Sequence, residues 1–133
     1  MDDKVRKFLE KNHGAIQTTL RKDGSPHVAR IGVGLVDGKL WSSATQTRLR
    51  TQHLRRDPRS TLAVLDYDDT YSWLGLDCVV TILDGPDAVD QNLALYRSIT
   101  GKDPDDMDEY RAAMVNDKRL IYEFEIQKAY GLE

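Results

Sequence analysis

Residues 40–60, LWSSATQTRLRTQHLRRDPRS, hold the side chains best suited to chemistry in this chain. A short apolar stretch runs into small hydroxyl residues, then into Arg48-x-Arg50-Thr51 at a predicted helix start. Guanidinium groups, a hydroxyl and free backbone N–H groups converging on one helix N-terminus are what a phosphate group needs. Five arginines (Arg48, Arg50, Arg55, Arg56, Arg59) face a single acid, Asp57, in a chain whose net charge is −3. Cationic charge concentrated in an acidic protein points to a local anion site and away from a generally basic surface. The simpler alternative is a solvated helix face with unpaired arginines. Against it, Ser42, Ser43 and Thr45 end the preceding strand, so donors come from two elements at once. Arg55, Arg56 and Arg59 read as surface or interface charges.

Other chemistry is sparse. There is no GxSxG, Walker A or GxGxxG motif and no His/Cys/Asp cluster at metal-ligand spacing. No catalytic side chain and no metal site is expected. His13, His27 and His53 are scattered, and Cys78 in its apolar run reads as a buried, inert thiol. The acidic run 103–109 reads as a solvated helix start. Tyr71 and Trp73, two apart on a predicted strand, share one face. They serve there as sheet packing, as a wall for a planar ligand, or as a subunit contact.

The elements that position these residues follow from patterning. A first helix carries Val5, Phe8, Leu9 and Asn12 on one face, and Gly14 ends it. Period-2 alternation predicts a strand around Ile16, Thr18 and Leu20. Asp23-Gly24-Ser25-Pro26 turns into a second strand, 27–36, and Asp37-Gly38 into a third, 39–44. A short helix, 47–56, stops at Asp57-Pro58. Strands 60–67 and 71–83, helices 87–100 and 104–116, and a closing strand 119–127 complete the chain. Six strands joined mostly by hairpins predict a mostly-β fold, an antiparallel barrel with flanking helices. With 133 residues, 40% hydrophobic and 31% charged, the chain reads as one domain, 1–133. Charges near the N-terminus occupy the place of a signal peptide's apolar block, and no apolar run approaches ~20 residues. These features predict a cytoplasmic protein with no membrane partner, and the negative net charge disfavours nucleic acid.

Six motifs in order carry a resemblance: TTLRKDGSPHV, RLRTQHLRRDPR, DYDDTYSW, ALYRSITG, YRAAMVNDKR and AYGL. The chain resembles the split-barrel flavin and deazaflavin oxidoreductases, the pyridoxamine 5′-phosphate oxidase-like family, in its branch binding the deazaflavin coenzyme F420. The resemblance implies a six-stranded antiparallel split β-barrel and a homodimer with two symmetry-related cofactor sites at the subunit interface. It implies that Arg48, Arg50 and Thr51 hold the cofactor phosphate, while Ser42, Ser43 and Ala44 run along the ring system. It implies that His27 and Arg30 line the same groove and that Tyr71 and Trp73 come from the partner subunit. The implied chemistry is hydride transfer from reduced F420 to a small electron-poor organic acceptor, the cofactor performing the redox step. FMN is the alternative cofactor, and a non-catalytic cofactor-binding protein the alternative function. The chain departs from the family at Arg50, often Lys there, and at Asp77-Cys78, often Glu-Gly. The additional C-terminal segment of true pyridoxamine phosphate oxidases has no counterpart in this sequence, so vitamin B6 synthesis is not expected.

Overall fold

One curled antiparallel sheet organises the chain. A computed structural model describes residues 1–132. The elements run α1 (Asp3–Lys11), β1 (Gly14–Leu20), β2 (Pro26–Gly32), β3 (Gly34–Val36), β4 (Lys39–Thr45), α2 (Leu49–Arg56), β5 (Arg59–Leu65), β6 (Trp73–Leu83), α3 (Ala88–Thr100), α4 (Met107–Asn116) and β7 (Arg119–Tyr130). The strand order is β2-β1-β5-β6-β7-β4-β3.

Seven strands therefore replace the six expected, because the predicted strand 27–36 divides at Val33. Its two halves join opposite edges of the sheet. A single residue separates those edges, so the sheet has to curl until they meet. Across the seam the Ser42 hydroxyl donates to the Gly32 carbonyl at 2.7 Å, while the Val33 N–H donates to the His13 carbonyl at 2.8 Å and so continues the β1–β2 ladder to the bend. Gly34 at this bend has no room for a side chain, since a Cβ there would lie 2.9 Å from Ile99 of α3.

Inside the curl, Leu62, Val64, Leu74, Leu76, Leu120 and Tyr122 are fully buried. Val5 and Leu9 of α1 close onto that core, and Asp2 caps the helix by accepting from the Lys4 N–H at 2.7 Å. Helix α3 covers the outer side of β4 and β7 through Trp41, Leu95 and Ile121. Strand β1 turns its polar set inward. Gln17 and Thr19 are buried, bonded to Ser60 at 3.2 Å and to His53 at 2.9 Å. Ile16 and Leu20 consequently face outward, half-buried.

Local hydrogen bonding moves several boundaries. The expected strand 71–83 begins only at Trp73, because aspartates take the backbone N–H groups before it. Asp66 accepts from the Asp68 N–H at 2.8 Å and Asp69 from the Tyr71 N–H at 3.0 Å, so the segment turns. Tyr71 and Trp73 thus do not share a strand face. Helix α4 starts at Met107 and not at 104, because Asp106 takes the cap position and accepts from the Glu109 N–H at 3.0 Å. Among the described residues, no helix is long and apolar enough to cross a membrane.

Candidate anion and cofactor site at the start of helix α2

Helix α2 begins directly after β4, and one buried hydroxyl fixes the junction. Thr51 donates to the Thr45 carbonyl at 2.8 Å and shares a second, short hydrogen bond with the Tyr122 hydroxyl. This residue is fully buried, so it anchors the helix start and leaves no hydroxyl for a ligand. Arg48 holds the N-cap position in extended backbone, and its side chain makes no capping bond. The Leu49 and Arg50 N–H groups are therefore left for an acceptor from outside the chain, at the positive end of the helix dipole.

Arg50 is the decisive side chain. It lies half-buried with its guanidinium carbon 5.9 Å from the centre of the Tyr122 ring, and its Nε is buried with no partner. Burial, reinforced by the charges of Arg48 and Arg119, pulls its pKa below the ordinary arginine value. Among the described residues, neither Arg48 nor Arg50 has a carboxylate within ion-pair distance. Three neighbours are committed elsewhere. Arg55 pairs with Asp84 at 2.9 Å, Arg59 with Asp57 at 2.8 Å, and Arg56 donates to the Leu20 carbonyl at 2.9 Å. The segment is thus not a uniformly solvated basic face: two of its five arginines are held without counter-charge at one helix start.

The opposite wall was not legible in the sequence. Arg119 pairs with Thr45 across β4 and β7, and its Nε is also buried without a hydrogen-bond partner. Its position at the start of the closing strand carries no signal, because only the β4–β7 pairing brings it beside Arg48. Thr47, Arg48 and Leu49 on one side and Asn116, Asp117, Lys118 and Arg119 on the other line an open groove of about 720 Å³, with Arg50 outside that lining.

The other candidate residues are distributed more widely. Ser42 faces the barrel interior and is committed to Gly32, Ala44 is fully buried in the core, and Ser43 on the opposite face donates to Asn92 of α3. Their side chains are occupied within the chain. His27 and Arg30 are three apart on β2 and so point to opposite faces. The His27 ring packs edge-on to His53, 5.2 Å between centres, and its Nδ1 is buried without a partner. Burial, followed by the charges of His27, Arg56 and Arg21, lowers the pKa of His53. Arg30 folds outward over Gly14, where any side chain would collide with its guanidinium. Tyr71, 91% exposed, stands in the turn before β6. Trp73 packs edge-on to Tyr130 at 6.2 Å and covers Gly131. Within one chain, then, Arg48, Arg50 and Thr51 come together with Tyr122 and Arg119, while Trp73 belongs to a separate cluster. Cys78 is buried, with its thiol pushed up to about 12 by burial, and is inert.

The profile of the pyridoxamine 5′-phosphate oxidase family matches residues 1–133. The chain belongs to the pyridoxamine 5′-phosphate oxidase family. The F420H(2)-dependent biliverdin reductase of Mycobacterium tuberculosis is 30% identical over 131 residues, spanning 98% of this chain and 88% of that protein. A conserved hypothetical protein from Mycobacterium tuberculosis superposes with a TM-score of 0.80 at 22% identity, covering 97% of this chain and 82% of that one. An F420 reductase superposes with a TM-score of 0.72 at 19% identity, covering 98% of this chain and 99% of that one. These likenesses establish the mostly-β, curled-sheet fold of the split-barrel proteins. Membership of the pyridoxamine 5′-phosphate oxidase family makes oxidoreductase the class of activity.

Proposed function

We propose that the protein is an F420-dependent reductase that works as a homodimer and passes a hydride to a small electron-poor organic acceptor. One observation carries the reading: Arg50, half-buried with a bare Nε, stands beside an unpaired Arg48 at an uncapped helix start. A buried guanidinium without counter-charge is costly unless an anion arrives, so the residues fit a cofactor phosphate. Arg48 and Arg50 would grip that phosphate, and Thr51 would act through Tyr122 to hold the wall beneath Arg50. The bound deazaflavin supplies the hydride, and this chain supplies orientation and positive charge. The relative named above for F420H(2)-dependent biliverdin reduction makes F420 the first cofactor to test, and biliverdin the first acceptor.

The homodimer reading rests on the outer face of β2, β1, β5 and β6. There Ile16, Leu20, Val28, Ala63, Leu65 and Val79 are half-buried or exposed on one face, interleaved with Thr18 and Thr61. Arg30 and Trp73 lie on the same face, so a second copy seated there would bring Trp73 and Tyr71 of one subunit toward the site of the other. On this reading Ser42, Ser43 and Ala44 contribute main-chain groups to the ring system, since their side chains are occupied.

The test is a pair of titrations, F420 and FMN, followed by fluorescence and absorbance. Mass spectrometry of any chromophore released from purified protein accompanies them. Binding of F420 together with turnover of biliverdin, enones, quinones or nitro compounds supports the proposal. Binding of FMN alone would replace the deazaflavin with a flavin on the same site, and tight binding without turnover would make the protein a cofactor carrier.

A further inference from the structure

We propose that the turn between β5 and β6, residues 66–72, is a pre-set arm that carries Tyr71 into the site of the other subunit, with Asn12 and Asp69 as the positioning residues that hold it. The proposal deepens the reading above and rests on the homodimer with shared sites.

Tyr71 takes almost no cover from its own chain. It is 91% exposed, and Tyr67 in the same turn is 65% exposed. The backbone that presents them is nevertheless fixed. The Asp66 carboxylate accepts from the Asp68 N–H at 2.8 Å, and the Asp69 carboxylate from the Tyr71 N–H at 3.0 Å. Two main-chain bonds close the loop, from the Asp66 N–H to the Ser72 carbonyl at 3.3 Å and from the Ser72 N–H to the Asp69 carbonyl at 3.1 Å.

A second set of bonds ties the turn to the body of the fold. Asn12 ends α1 and is fully buried, and its Oδ1 accepts from the Tyr67 N–H at 3.2 Å. Its Nδ2 is buried without a partner, a costly state, so the bond this amide does make goes to the turn. Beside it, the Lys11 ammonium stands 3.4 Å from Asp66 and 3.3 Å from Asp68. Helix α1 is itself anchored, with Val5 and Leu9 in the core. The Tyr67 N–H is thus held from α1, and the Tyr71 N–H from within the turn.

Such order lowers the entropy lost when an aromatic ring is captured, because the backbone that carries it is set before contact. At the base of the turn Leu65 pairs with Trp73, and both are exposed on the face assigned to the second copy. The arm therefore rises at the border of that face, and α1 of one subunit sets an aromatic wall for the other.

The experiment joins hydrogen exchange on the free protein with fluorescence titration of F420. The variants are Tyr71→Ala, Asp69→Ala, Asn12→Ala, Asp69→Ala/Tyr71→Ala and Arg48→Ala/Arg50→Ala. Asp69 is exposed, so its variant folds even if Asn12→Ala does not. In the unaltered protein the Tyr67 and Tyr71 amides are expected to exchange about tenfold or more slower than an open chain, and Asp69→Ala to free the Tyr71 amide. Asp69→Ala and Asn12→Ala are each expected to weaken F420 binding about three- to tenfold, no more than Tyr71→Ala does. In the Tyr71→Ala background the Asp69 change is expected to add nothing. Asp69→Ala subunits mixed with Arg48→Ala/Arg50→Ala subunits are expected to regain full affinity at about a quarter of all sites, since a mixed dimer holds one intact grip facing one intact arm. Additive losses, no recovery on mixing, or fast exchange at Tyr71 in the unaltered protein would each overturn the arm. Full affinity in Tyr71→Ala would overturn it together with the shared site. If no form binds F420, the cofactor proposed above falls, while slow Tyr71 exchange that is lost in Asp69→Ala still supports the arm.

Discussion

Replacing Arg50 with Met separates a structural arginine from a ligand-binding one by the sign of the effect. The methionine keeps an unbranched stem of similar length over Tyr122 while removing a half-buried charge that has no carboxylate partner. What is lost in the free protein is a cation–π contact worth ~0.5–1 kcal/mol. What is gained is relief from desolvating an unpaired guanidinium and leaving its Nε unbonded, a cost of ~1–3 kcal/mol. The variant should therefore be as stable as the parent or more stable by about 1 kcal/mol. Binding should move the other way. One charge-assisted hydrogen bond to phosphate contributes ~1.5–3 kcal/mol, which is ~10- to 150-fold in affinity. The assay is urea unfolding in phosphate-free buffer, because bound phosphate would itself stabilise the folded state, paired with titration of F420. Arg55→Met is the control. It breaks the exposed 2.9 Å pair with Asp84, should cost less than about 1 kcal/mol, and should leave binding unaltered. A loss of more than about 2 kcal/mol in Arg50→Met with unchanged binding would refute the reasoning.

Three further outcomes are expected. Gly75→Ala drives a methyl into the Tyr130 ring and should cost ~1–3 kcal/mol; a Tyr130→Ala change in the same chain should recover part of it, and strict additivity in the double-mutant cycle would disprove the contact. His53 has its pKa lowered in the folded state, so as pH falls below about 6.5 the unfolded chain takes the proton first. Thermal stability should thus be flat above that pH and decline below it, with a shallower decline in His53→Gln; parallel pH profiles for the two proteins would count against a buried neutral imidazole. Ala63→Glu places a charge at the middle of that outer sheet face and should convert a dimer to a folded monomer in sedimentation experiments. An unaltered mass would exclude that face as the subunit contact.

Much of this architecture is legible in the residues because hairpins and caps are local. Asp37-Gly38 marks its turn, with φ values of 51 and 78, and Asp57-Pro58 stops α2 where the proline demands. What escaped depends on long-range pairing. Nothing near Val33 announces that one strand serves two sheet edges, since the bend is imposed by closure of the curl and by α3 seated on Gly34. The inward turn of Gln17 and Thr19 reverses the simplest reading of β1, because their partners Ser60 and His53 lie 43 and 34 residues away. At the site, the pairing of Arg48 with Arg50 could be read from spacing alone. That Thr51 faces inward to Tyr122, and that Arg119 forms the far wall, required the β4–β7 register.

A fluorescence titration of F420 against the unaltered protein and against Arg48→Ala/Arg50→Ala, at low salt, probes the anion grip most directly. Two charge-assisted contacts removed together should weaken binding by ~3–6 kcal/mol, at least ~100-fold, with the circular dichroism spectrum and the melting behaviour preserved. Equal affinity in the two proteins would contradict the assignment of this helix start as the cofactor's phosphate site.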